Sequence, residues 1–181
     1  LGDVYKRQVQ SIFDHALLDS SSTVADLGAG TGILTRHFAG KVGLLAAIEP
    51  DPGMLPFLVK ALAGQDGCLA VAARAEGLPL PSGCLDALLV AQAIHWFDPR
   101  PARTEIRRVL KPGGWLAVLH NMPVDHNPAF SKAVEALNRT EYGFQPPDRP
   151  TGTQARPAAF FFEPAPCQRM AFPFAFHQGW D

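Results

Sequence analysis

Short apolar runs alternate with helical patterns along most of the chain. The apolar runs occupy residues 24–27, 43–49, 68–72, 85–91 and 115–120. Apolar residues recur at helical spacing in four segments next to these runs. One precedes the first run, two separate the first three runs, and one lies between the last two, at residues 9–17, 33–39, 52–63 and 99–110. Continuous apolar strands that alternate with helices are typical of a parallel sheet covered on both faces. The pattern therefore predicts an α/β fold with a doubly wound, mostly parallel sheet.

The two ends of the chain depart from this pattern. Residues 1–8 include the sequence DVYKRQ, an in-frame reading of a transposon-end adaptor used in sequencing libraries, so we expect them to be non-native. An ordinary polar helix turn is the alternative. After a core at 9–126, residues 127–181 predict a helix up to Glu141, a loop with six prolines at 146–166 and a strand at 170–176. We expect this last part to belong to the same domain and to be truncated, so that the chain is a fragment.

The first apolar run ends in a turn with three glycines at alternate positions, Gly28, Gly30 and Gly32. Glycines accept positive φ and let backbone N–H groups approach a ligand. A helix after such a turn adds partial positive charge at its N-terminus. Asp26 lies two residues before the first glycine, and Ile33 stands where a dinucleotide-binding fingerprint has a small residue. A carboxylate at this position favours a cationic ligand over a pyrophosphate.

Residues 24–32 resemble motif I of the class I S-adenosylmethionine-dependent methyltransferases. Residues 92–97 resemble the Gln-Ala-x-His-Trp-Phe stretch of the type 11 methyltransferase domain family, and the sequence KPGG at 111–114 is also typical of it. The resemblance extends over residues 9–121. It implies a Rossmann-like fold with strand order 3-2-1-4-5-7-6, S-adenosyl-L-methionine as the cofactor, and methyl transfer to a small-molecule acceptor. In that family the acid at the position of Asp26 faces the amino group of the cofactor, commonly through water.

The cofactor site is expected at the carboxyl ends of the strands. Glu49 ends the second strand, where a carboxylate can accept hydrogen bonds from both ribose hydroxyls of an adenosyl group; a solvated acid is the alternative. The residues expected to bind the cofactor are Asp26, Gly28, Ala29, Gly30, Gly32, Glu49, Pro50, Met54, Ala75, Glu76 and Gln92. Arg74 stands where many relatives have an aspartate that accepts from the adenine amino group. Adenine recognition is therefore left to the backbone of Ala75 or to Glu76, for which a surface position is the alternative.

Methyl transfer needs a general base only if the acceptor must lose a proton. His95 is the candidate base, with packing of His95 and Trp96 against the cofactor as the alternative reading. The remaining candidates, His120, His126 and His177, show no partner in the sequence and are expected to be structural or exposed.

Two other function classes stay open at this stage, an NAD(P)-dependent oxidoreductase and a non-catalytic adenosyl-binding module. Asp26, Ile33 and the absence of a Tyr-x-x-x-Lys pair argue against the oxidoreductase.

The composition indicates which partners and which cellular compartment to expect. The chain has 181 residues, a formal net charge of -1 and no evident cluster of lysines and arginines, so no nucleic-acid partner is expected. No apolar run reaches the roughly 20 residues of a membrane helix, so no membrane partner is expected. The three cysteines have no metal-binding spacing, and a reducing cytoplasm suits them. The acceptor and the oligomeric state have no motif in the sequence.

Overall fold

A computed structural model describes residues 2–120, 158–164 and 166–172. Its strands are β1 (Thr23–Leu27), β2 (Leu44–Ile48), β3 (Cys68–Val71), β4 (Leu85–Ala91) and β5 (Leu110–Leu119). They form one five-stranded sheet in the order β3-β2-β1-β4-β5, and every neighbouring pair is parallel. The prediction of a doubly wound parallel sheet is confirmed.

The helices are α1 (Gly2–Ala16), α2 (Leu55–Leu62), α3 (Pro99–Val109) and α4 (Ala159–Phe162), with 3-10 turns at Thr35–His37 and Ile94–Trp96. The N-terminal segment that resembles an adaptor, residues 2–8, lies within α1. The helix predicted after Asn127 lies outside the described residues.

Alternate residues of each strand enter two cores on opposite faces of the sheet. One core contains Leu27, Ile48, Leu88 and Val90, with Ile106 and Val109 from α3. The other contains Val24, Leu45, Leu89 and Phe38, with Val9 from α1. Burial on both faces explains why these strands are continuously apolar, since each fully buried Leu or Ile side chain contributes about 1.5–3 kcal/mol. The central strand β1 carries the glycine turn between two covered faces.

The helix predicted after the glycine turn is reduced to the single 3-10 turn Thr35–His37. Branched residues interrupt the segment at Thr31, Ile33 and Thr35, and such side chains lower helix propensity. The hydroxyl of Thr35 is also drawn into the sheet by a hydrogen bond to Asp26. The predicted positive end of a helix at this turn is therefore absent, because three residues are too few to form one.

Helix α2 begins at Leu55, although Asp51 and Pro52 predicted an earlier start. The Asp51 side chain accepts from the backbone N–H of Gly53 at 2.7 Å, which closes a turn before the helix. The predicted buried face is correct for Leu58 and Leu62, which are 0% and 6% exposed.

Strand β5 begins five residues earlier than predicted and carries an irregularity. Leu85 pairs with Leu110, but Ala87 pairs with Trp115, so the segment between them bulges out of the ladder. Gly113 has φ +80 within this bulge, a value that glycine adopts without strain.

The described part of the proline-rich segment, residues 158–164 and 166, contains one regular element where a loop was predicted. Helix α4 places Phe161 in a core, with 4% of its surface exposed, and burial of this aromatic ring explains the turn of helix. A strand was predicted at 170–176, but residues 170–172 are not in a strand and the others lie outside the described residues.

One guanidinium group fixes the connection between β3 and β4, which contains neither helix nor strand. Arg108 of α3 donates from Nη2 to the carbonyl of Leu78 at 2.9 Å and from Nη1 to the carbonyl of Leu80 at 2.7 Å. Arg108 also pairs with Glu105 at 2.7 Å, and its hydrogen bonds hold the pKa of Glu105 at about 2. The connection is thus attached to α3 through its backbone.

Candidate functional site

The candidate site lies where β1, β2 and β4 end side by side. The register places Leu27 beside Ile48 at the ends of β1 and β2, and Asp26 beside Leu89 of β4. The chain leaves these strands in the glycine turn, in the loop after Glu49 and in the loop after Ala91. Three loops at the carboxyl edge of a parallel sheet, next to its central strand, form the usual ligand crevice of this architecture.

The three glycines of the turn adopt positive φ, and N–H groups of the turn form hydrogen bonds within the protein. Gly28, Gly30 and Gly32 have φ of +75, +57 and +82. The N–H groups of Gly28 and Ala29 both donate to the carbonyl of Ile48, at 2.9 and 3.0 Å. The N–H of Gly32 donates to the carbonyl of Ala29 at 2.9 Å. The expectation that these N–H groups face a ligand is therefore wrong, because neighbouring backbone already accepts from them.

Glu49 joins the glycine turn to the loop after β2. Its Oε2 accepts from the N–H of Gly30 at 2.7 Å, and its Oε1 accepts from the N–H of Asp51 at 2.9 Å. The residue is 7% exposed, so the alternative of a solvated acid is wrong. Each carboxylate oxygen can accept more than one hydrogen bond, so both retain capacity for a ligand hydroxyl.

Asp26 has a buried carboxyl group, and only one of its two oxygens accepts a hydrogen bond within the described residues. It is 1% exposed, and its Oδ2 accepts from Thr35 Oγ1 at 2.6 Å. Its Oδ1 is buried and receives no hydrogen bond within the described part of the chain. Burial raises the pKa of Asp26 to about 6, against the hydrogen bonds from Thr35. Thr35, which the sequence analysis missed, carries no motif that would have identified it.

Gly28 is packed tightly against the loop that follows β4. A Cβ at Gly28 would lie 2.4 Å from Cβ of Ala93, which is closer than non-bonded contacts of Cβ atoms in proteins. The same loop contains Gln92 at φ +54, a left-handed conformation that is uncommon outside glycine. The N–H of Gln92 donates to the carbonyl of Leu119 at 3.0 Å, which holds this strained residue against β5. A Cβ at Gly30, in contrast, would meet no atom within 4 Å.

The residues expected beside the adenosyl group divide into exposed and enclosed positions. Pro50 and Met54 are exposed beyond Glu49, with Met54 at the N-terminus of α2. Ala75 is buried in a core. Glu76 is partly enclosed and accepts from the N–H of Asp98 at 2.8 Å and from Arg74 Nε at 3.3 Å. The alternative of a surface position is consistent with the partial exposure of Glu76, although its carboxylate is already bonded to Asp98, the residue before α3.

His95 lies at this edge in an exposed 3-10 turn. Its ring is 5.0 Å from that of Trp96 and 6.1 Å from that of His120, measured between centroids. Trp96 is 71% exposed. His120 is exposed, as expected, and its ring meets that of His95 because β4 and β5 are neighbours and the residues after them come together. His126 and His177 lie outside the described residues.

The described residues contain neither a metal-binding cluster nor a membrane-spanning helix. No group of three or more His, Cys, Asp and Glu side chains there is arranged to hold a metal ion. Within the same residues, no helix combines the length and apolar character needed to cross a membrane.

Comparisons with known proteins agree with this geometry. The family described as "Methyltransferase domain" matches residues 25–118. The uncharacterized methyltransferase Rv3342 of Mycobacterium tuberculosis is 43% identical over 108 residues, which cover 60% of this chain and 43% of that protein. The ubiquinone/menaquinone biosynthesis C-methyltransferase UbiE of Hahella chejuensis is 30% identical over 151 residues, covering 76% of this chain and 60% of that protein.

Among solved structures, the YcgJ protein of Bacillus subtilis is 26% identical with a TM-score of 0.59, over 74% of this chain and 58% of that chain. The chain thus spans less than two thirds of the length of each of these proteins. Because the family match covers more than half of the chain and contains the glycine turn, Glu49 and the edge around His95, the chain belongs to the class I S-adenosylmethionine-dependent methyltransferases, for which S-adenosylmethionine is the cosubstrate.

Proposed function

We propose that this protein transfers a methyl group from S-adenosylmethionine to a small-molecule acceptor. The observation that carries the proposal is the pair of buried carboxyl groups, Asp26 and Glu49, at the ends of β1 and β2 on either side of the glycine turn. One oxygen of Asp26 has no hydrogen-bond donor within the described residues. A buried polar atom without a partner requires an explanation, and a ligand ammonium group or its bound water would supply the donor.

The residues present fit this cofactor. Glu49 would accept from the ribose hydroxyls with the capacity left on its two oxygens. Asp26 is enclosed, so it would hold the ammonium group through a water molecule. The space beside Gly30 leaves room for the ligand against the turn. Pro50, Met54 and the backbone of Ala75 would border the adenosyl group, while Gly28, Gly32 and Gln92 shape the turn and the loop opposite it.

The cofactor supplies a methyl group on a positively charged sulfur, which is already a strong electrophile. The chain therefore needs chiefly to align the acceptor and to exclude water. His95 and Trp96, at the exposed edge, are the residues we propose to face the acceptor. UbiE, by its name, methylates carbon, and the malonyl-[acyl-carrier protein] O-methyltransferase of Methylococcus capsulatus, 40% identical over 102 residues, methylates oxygen. Relatives of this chain are thus named for methylation of both carbon and oxygen.

The ligand test is isothermal titration calorimetry with S-adenosylhomocysteine and with NADH. We expect S-adenosylhomocysteine to bind and NADH not to bind. Because the pKa of Asp26 is about 6 without ligand and an ammonium group favours the ionised carboxylate, binding at lower pH should release a proton. Affinity should therefore rise with pH up to about 6, by at most about tenfold per pH unit, and then level off.

Two controls isolate the role of Asp26 in that measurement. 5′-Methylthioadenosine has the adenosyl group but no amino acid part, so its affinity should not follow the same pH dependence. Asp26→Asn should remove the pH dependence for S-adenosylhomocysteine. Binding of NADH in preference to S-adenosylhomocysteine would support the oxidoreductase alternative, and an equal pH slope for both adenosyl ligands would exclude the role given to Asp26.

His95→Ala is expected to lower kcat by about 10²–10⁴ if His95 removes a proton from the acceptor, with little change in affinity for S-adenosylhomocysteine. The measurement is methyl transfer from radiolabelled cofactor to a panel of phenols, which must lose a proton, followed by kinetics on the best acceptor. Trp96→Phe is the control, because it keeps an aromatic ring beside His95. Equal losses of kcat and cofactor affinity in His95→Ala would instead favour the packing role.

A further inference from the structure

The outer face of α3 carries a cluster of arginines that the sequence analysis did not recognise. Arg100, Arg103 and Arg107 follow one another at intervals of three and four residues, which places them on one side of the helix. Thr104 lies between them, and its hydroxyl donates to the carbonyl of Arg100 within the helix at 3.1 Å. The expectation of no basic cluster was wrong because helical spacing separates the members along the chain.

These residues border a cavity of about 380 Å³. Its lining consists of Arg100, Arg103, Thr104 and Arg107 from α3, together with Phe160 from α4. The Arg103 guanidinium lies over the Phe160 ring, 4.5 Å from the ring centroid. The volume falls within the range of about 300–1,000 Å³ that is common for small-molecule sites.

The positive charge of this cavity is not neutralised by the described part of the chain. None of the ion pairs between described residues includes Arg100, Arg103 or Arg107. Arg103 Nη2 donates to the backbone carbonyl of Glu163 at 2.6 Å, and Arg107 Nη2 donates to the same carbonyl. A carbonyl carries no formal charge, so this contact leaves three positive charges at spacings where like charges repel.

One buried donor in the cluster has no acceptor within the described part of the chain. Arg103 Nε is buried and makes no hydrogen bond within the described ranges. The neighbouring Arg108 provides a contrast, because its Nε donates to Glu105 at 2.8 Å and its other groups bind carbonyls. Arg103 therefore combines a buried donor that is unpaired among the described residues with a place in the cavity lining, an arrangement that suits an oxyanion.

We propose that this cavity binds a phosphate monoester of a small organic molecule. Guanidinium forks match the oxygens of a phosphate group, and a dianion balances three arginines better than a single carboxylate does. Phe160 supplies an apolar wall for the organic part. The site uses none of the residues assigned to the cofactor, so the proposal does not depend on methyl transfer.

The test is isothermal titration calorimetry of the 181-residue chain with phenyl phosphate, inorganic phosphate and phenylacetate. We expect phenyl phosphate to bind at least as tightly as inorganic phosphate, and phenylacetate to bind more weakly than either. Arg100→Gln should weaken phenyl phosphate binding by about ten- to a hundredfold, since hydrogen bonds to charged groups contribute about 1.5–3 kcal/mol. Arg103→Lys keeps the charge but removes Nε, and it should cause a loss of similar size.

Lys60→Gln is the matched control, because it removes one exposed positive charge from α2 and should leave the affinity unchanged. Arg100 is the cleaner of the two test positions, since among the described residues its side chain makes no hydrogen bond to the Glu163 carbonyl, whereas that of Arg103 does. Thermal melting of each variant verifies that it is folded. The proposal is overturned if phenyl phosphate gives no binding heat, if Arg100→Gln and Arg103→Lys both bind it like the unmodified chain, or if phenylacetate binds as tightly.

Discussion

Replacing Glu49 with alanine is expected to weaken S-adenosylhomocysteine binding by about a hundredfold. The variant would lose the hydrogen bonds that Glu49 accepts from the ribose hydroxyls. Each such charge-assisted bond contributes about 1.5–3 kcal/mol, so two bonds at the lower value give about 3 kcal/mol, which corresponds to about a hundredfold in affinity. The substitution also leaves the N–H groups of Gly30 and Asp51 without their acceptor. Calorimetry with S-adenosylhomocysteine measures the loss directly.

Two further variants separate the ribose contact from general damage to the loop. Asp51→Ala removes an exposed carboxylate two residues away, and its effect on affinity should be less than threefold. Glu49→Gln should not restore binding, because both Glu49 oxygens accept from backbone N–H groups and an amide must direct its NH₂ group at one of them. Full affinity in Glu49→Ala, or an equal loss in Asp51→Ala, would remove Glu49 from the site.

Gly28→Ala is expected to destabilise the fold by about 3 kcal/mol. Alanine at φ +75 costs about 1–2 kcal/mol, and the forced contact with Ala93 adds about 1–3 kcal/mol of overpacking. Gly30→Ala is the matched variant, with a similar φ and no atom near the new Cβ, so it should cost only about 1 kcal/mol. Its methyl group occupies the proposed ligand space, however, so Gly30→Ala should lose S-adenosylhomocysteine affinity while remaining folded.

A double-mutant cycle distinguishes the steric part of the Gly28→Ala effect from the backbone part. Ala93→Gly removes the atom that lies 2.4 Å from the new Cβ, so the double variant should recover the overpacking cost and retain only the backbone strain. Urea denaturation of the single and double variants gives the free energies of unfolding. Additive effects in the cycle would show that Gly28 and Ala93 do not contact each other in the way described.

The sequence predicts those features that depend on neighbouring residues alone, such as a buried strand or a turn. Strand β4 is an uninterrupted apolar run and was predicted with its correct bounds, and Gly28 to Gly32 mark the turn because positive φ selects glycine. Contacts between distant positions were not predictable. Gly30 and Glu49 are 19 residues apart, and their hydrogen bond depends on how β1 and β2 are paired.

The same limit applies to the polar partners of the site. Asp26 was identified from its position before the glycines, but Thr35 was not, since any residue of the following segment could have turned inward. His120 meets His95 only because β5 adds beside β4. Where the helix prediction failed, after Gly32, the hydrophobic spacing was satisfied by a 3-10 turn that buries Phe38 equally well.

The attachment of the β3–β4 connection by Arg108 has a consequence for how this protein can diverge. Arg108 recognises the carbonyl groups of Leu78 and Leu80, and every residue type carries that group. Exposed side chains in this connection can therefore change by mutation without loss of the attachment, whereas Leu78 is also held by its burial in a core. The constraint falls on two residues of α3, Arg108 and Glu105, which bind the loop backbone and each other. The exposed positions of the loop remain open to evolutionary variation.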